Sequence, residues 1–113
     1  MKLRVDWNEP LIRQQDVLRI RTEDLDVFYA QADDADKVNL FFVLLNSQHA
    51  CAAHTQRCQA AHLSFLLAYY VFALLSPPGA DALAYHYIEQ AMQLNPLEEY
   101  AEWIPLIRET DRA

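Results

Sequence analysis

From Val38 to Leu97 the only charged side chains are Arg57, Asp81 and Glu89. So long a stretch with so little charge must be enclosed by its flanks or set against a partner. Within it, residues 48–96 read as helix, breaker, helix. QHACAAHTQRCQAAHLSFLLAYYVFALLS forms an apolar run, PPG interrupts it, and ADALAYHYIEQAMQLNP follows. Proline has no backbone donor and disfavours the α conformation in the residue before it, so the first helix ends at Ser76. The second is expected over Ala80–Leu94. It carries Leu83, Ala84, Tyr87, Ile88, Ala91, Met92 and Leu94 at helical spacing and is stopped by Asn95-Pro96.

The single glycine narrows the fold further. An all-β chain needs positive φ at many tight turns, and no Gly-rich phosphate loop can be built from one Gly. An all-α fold is expected, as a small helical domain of four to six helices spanning residues 1–113. That length fits one domain with a real core. A net charge of −7 repels phosphate backbones and argues against nucleic acid. No basic start leads into an apolar segment as in a secretory signal, so a cytoplasmic protein with Cys51 and Cys58 as thiols is expected. The uncharged apolar run Leu63–Leu75 is shorter than the roughly 20 residues of a membrane span, which argues against a membrane protein.

Outside the hairpin, residues 1–21 are expected to be helical, although VLRIR (17–21) alternates as a strand does and has no partner strand elsewhere. Asn8 would be the N-cap, Pro10 would lie in the first turn, and Trp7, Leu11, Leu18 and Leu25 would form a loose stripe. Thr22 offers the next N-cap, and Asp33-Asp34-Ala35-Asp36 another acidic helix start. DDAD lacks the Gly and closing Glu of a calcium loop. Asn46-Ser47 and Thr55 are both candidate breaks before the apolar helix. A last helix is expected over Glu98–Glu109, kinked or shortened by Pro105.

Residues 65–98 resemble one degenerate tetratricopeptide repeat, a helix–turn–helix unit of about 34 residues. Ala84, Ile88, Ala91 and Pro96 stand at that repeat's small, large, small and proline positions. Leu94-Asn95-Pro96 is similar to its usual ending, and Gly79 lies at its turn glycine. The first helix departs from the pattern, with Ala68 where a bulky aromatic is usual and Phe72 where a small residue is. The resemblance implies an antiparallel hairpin near the C-terminus, with residues 99–113 as capping helix and tail. It also implies binding of another protein, through a groove that other helices must complete because one repeat cannot form it alone.

Two residue sets could carry function. Phe65, Tyr69 and Phe72, joined by Tyr85 and Tyr87, are expected to supply the partner-binding face. Cys51, His54, Cys58 and His62 step by three, four and four along one helix and are the alternative, a zinc or copper(I) site. Side chains in a line on one helix cannot close a tetrahedral shell, so such a site would need ligands from elsewhere. No catalytic residue and no cofactor is assigned. The expected role is non-enzymatic: a small chaperone, adaptor or inhibitor that shields a basic or aggregation-prone protein. Self-association as a homodimer through the same face is its nearest competitor.

Overall fold

A computed structural model describes residue 3 and residues 5–112, the last four by backbone alone. The chain is 74% helical, and no strand occurs among the described residues. In order, the elements are α1 (Gln14–Val17), α2 (Thr22–Gln31), α3 (Asp34–Ala53), α4 (Arg57–Tyr69), a π-helical continuation over Tyr70–Leu75, α5 (Ala80–Leu94), α6 (Glu98–Ala101) and α7 (Trp103–Arg112). Two of these are single turns; five have ten residues or more.

Helix α4 is central. It packs against α3 on one side and antiparallel α5 on another, with α1 at its N-terminal half; α5 in turn meets α6 and α7. Every residue from Ala60 to Ala68 is buried. At 100° per residue, nine consecutive positions circle the helix more than twice, so this stretch of α4 is enclosed on all sides, with His62 and Ser64 its only polar members. In the hairpin, Ala84, Ile88 and Ala91 are fully buried. The alanines carry only a methyl and allow close approach, while Ile88 fills the space between them.

The helix ends follow local chemistry. The Asp33 carboxylate accepts the Asp36 N–H at 2.8 Å and starts α3, with Asp34 and Asp36 in the positive first turn. The far end of α3 is a Schellman motif: Gln56 N–H bonds to Cys51 carbonyl, Thr55 N–H to Ala52 carbonyl, and Thr55 takes the left-handed conformation at φ 58°. Beyond α4, Ser76 at φ 45° and Gly79 at φ 79° turn the chain through Pro77-Pro78 into α5.

The first and last helices are corrected, and of the two candidate breaks Thr55 is the one that holds. The helix foreseen from Asn8 is absent: residues 5–13 hold a turn at Trp7-Asn8 and no helix, and helix is confined to the single turn Gln14–Val17. That segment is held by tertiary contact, since the Ile12 N–H donates to the Ser47 hydroxyl at 2.9 Å. Trp7, Leu11 and Leu18 face solvent while Leu25 is buried, so they form no stripe. Ser47 does not break the helix, because its hydroxyl donates back to the Val43 carbonyl inside an intact α3; the break falls at Thr55. The last helix is split at Glu102. Pro105 cannot donate to the Ala101 carbonyl, and it sits in the first turn of α7, where no donor is needed.

Candidate functional site

The five aromatics expected to meet a partner do not form one open face. Phe65 is buried and stacks on Tyr100 of α6, with ring centroids 4.8 Å apart. Tyr69 and Phe72 are half-buried, and both set their rings against the edge of Trp103, the first residue of α7. The Tyr69 hydroxyl also donates to Asp26 on α2, and burial together with that carboxylate pushes its ionisation well above the usual range. On α5, Tyr85 lies under the Arg108 guanidinium of α7, which donates to its hydroxyl. Tyr87 is buried and edges onto Phe41 of α3. The stripe is thus divided between α6–α7 on one side and α3 on the other.

The break at Thr55 corrects the Cys/His stripe. Cys51 ends α3 and is buried, His54 and Cys58 are exposed on either side of the turn, and His62 is buried in α4. They share no helix face. Among the described residues, no group of three or more His, Cys, Asp or Glu side chains is gathered to hold a metal ion. Burial raises the Cys51 thiol above its ordinary pKa.

His62 instead holds the fold together. Its Nε2 lies 2.7 Å from the Ile20 carbonyl and its Nδ1 3.2 Å from the Tyr100 hydroxyl. A carbonyl only accepts, so Nε2 carries the hydrogen and donates; in that tautomer Nδ1 accepts from the Tyr100 hydroxyl. Burial is the main reason the Tyr100 phenol is pushed up to about 12, with Glu99 and Cys58 adding to it. Among the described residues, every buried side-chain nitrogen or oxygen has a hydrogen-bond partner. The buried polar groups hold structure.

Sequence reasoning missed the surface beside the N-terminal segment. Trp7 is 41% exposed, Val27 51% and Phe42 54%. Trp7 stands between two hollows. One of about 660 Å³ is lined by Leu3, Val5, Val27 and Phe28, with Asp24 and Asp36 as its charged members. The other, about 290 Å³, lies over Pro10, Asn39, Phe42 and Asn46. Trp7 sets its ring edge-on to Phe28 at 6.4 Å. One signal was available: Val38 and Phe42 are i and i+4 on a helix whose inward face already had Leu40, Val43 and Leu44. No family model matches this chain, and no curated protein or solved structure is significantly similar to it.

Proposed function

We propose that the chain is a non-enzymatic protein-binding module, acting as a small chaperone, adaptor or inhibitor in a reducing, cytoplasmic setting. The carrying observation is the exposed apolar group Trp7, Val27 and Phe42 beside its hollows, in a chain whose other aromatics are all buried or half-buried. Contiguous exposed apolar surface of this kind marks interaction sites. The tetratricopeptide-like hairpin supports the same reading through its buried Ala84, Ile88 and Ala91. In this reading the hairpin is scaffold. Phe65, Tyr69, Phe72, Tyr85 and Tyr87 are engaged by the chain's own helices and would meet a partner only where their edges remain open.

The test is affinity capture with the tagged chain, followed by reconstitution from two purified components on a sizing column. The expected result is one identified protein that co-elutes at fixed stoichiometry. A chain that captures nothing above a tag-only control, or that retains stoichiometric zinc or copper through chelation, overturns the reading.

A further inference from the structure

We infer that the larger hollow, between the N-terminal segment and helices α2 and α3, is the docking site for a basic, apolar segment of another protein. This rests on the protein-binding reading above and names the surface and the chemistry of the occupant. The floor of the hollow is apolar: Leu3, Val5 and Phe28, with Trp7 and Val27 at its exposed margin. Such a floor selects a segment with large aliphatic or aromatic side chains, the arrangement by which grooves take one face of an amphipathic helix.

Charge decides the rest of the occupant. Of the six acids between Thr22 and Asp36, Asp24 and Asp36 line this hollow, whereas Glu23 borders the hollow beside Trp103 and Asp26 accepts from the Tyr69 hydroxyl. Asp36 is half-buried on the wall of the hollow, and Asp33 and Asp34 stand exposed at the same helix start. Lys37 is turned to Asp34 at 3.8 Å and over the Tyr29 ring at 4.5 Å. An apolar floor under an acidic rim complements lysine and arginine flanking apolar residues, and such complementarity sets partner choice and encounter rate. It opposes the two other occupants. A second copy would bring the same acids face to face, on a chain of net charge −7. An anionic membrane would be repelled by them.

The test uses the full chain and a labelled synthetic peptide of about four helical turns, with Leu on one face and Lys on the other. Two comparison peptides carry Glu for Lys, or Ser for Leu. Fluorescence anisotropy should show binding of the Lys/Leu peptide alone, weakening as salt rises. Trp7→Ala should weaken it about tenfold or more, as loss of an aromatic anchor does. Asp36→Asn should weaken it less, and Leu83→Ser on α5 should leave it unchanged. Circular dichroism checks that each variant keeps its helix content; none of these side chains is fully buried, and Val27→Ser serves if Trp7→Ala loses helix.

Equal binding of the Glu peptide, or binding indifferent to both Trp7→Ala and Val27→Ser, overturns the inference. So does a dimer in light scattering that Trp7→Ala dissociates, or binding confined to anionic vesicles. A captured partner that binds Trp7→Ala as well as the parent removes this docking site and leaves the protein-binding reading standing. The absence of any captured partner removes that reading itself.

Discussion

At the scale of single residues, the His62–Tyr100 pair couples three elements that are far apart in sequence. Its two bonds tie α4 to the Ile20 carbonyl ahead of α2 and to α6. Tyr100→Phe keeps the ring stacked on Phe65 but leaves Nδ1 of a buried imidazole without a partner. The expected cost at pH 7 is about 1–3 kcal/mol by urea denaturation. The same substitution has a signature in pH. In the folded chain the phenol is raised from 10.0 to about 12. The folded state therefore holds the proton where the unfolded state has lost it. This contribution is full below pH 10 and disappears as pH rises through about 12, at up to about 1.4 kcal/mol per pH unit. Tyr100→Phe should flatten the alkaline loss of stability in that window. It should not abolish it, because burial also raises Tyr69, Tyr70 and Tyr87. A variant with the parent's alkaline slope would remove Tyr100 from this role.

At the scale of elements, boundaries were legible where the stop signal is local. Helix α5 has Pro-Pro-Gly before it and Asn-Pro after it, and it occupies Ala80–Leu94 as expected. The acidic run at Asp33 caps α3 as expected. Where the deciding contact is distant, sequence could not choose. Asn46-Ser47 and Thr55 both have break-prone chemistry, and Ser47 is kept helical by its bonds to Val43 and to Ile12, thirty-five residues away. Residues 5–13 lack a helix because they lie across α3. Spacing put Phe65, Tyr69 and Phe72 on one face but could not say that Tyr100 and Trp103 would cover it. Thr55 offers a test of the helix ends. A β-branched residue is poorly suited to the left-handed position that closes a Schellman motif, where glycine is preferred. Thr55→Gly should therefore raise stability by about 1 kcal/mol. Gly79 has open space around its Cα and φ of +79°, so Gly79→Ala adds backbone strain without a clash and should lower stability by a similar amount. Thermal denaturation of both variants reads the two signs; a destabilised Thr55→Gly would mean the turn is not held as described.

At the scale of the whole molecule, the low charge of the central segment follows from enclosure. The helix Arg57–Leu75 is long and apolar enough to cross a membrane, and 61% of its apolar window is buried within the protein. Two environments ask for such a helix: lipid, and a sheath of other helices. They differ in what a cavity costs. In this fold Leu66 is fully buried, on the helix that α3 and α5 enclose. Leu66→Ala removes packed carbon from a site with no solvent or lipid to refill it, at an expected cost of about 2–5 kcal/mol. For a domain of this size that is a fall of roughly 10–20 °C in Tm, seen in detergent-free buffer as a cooperative transition. Leu97→Ala, at a residue 40% exposed, should shift Tm far less. A lipid-facing Leu66 would instead tolerate alanine, and the parent would need detergent or vesicles to melt cooperatively. The ratio of the two shifts thus reports whether α4 is wrapped by this chain's own helices.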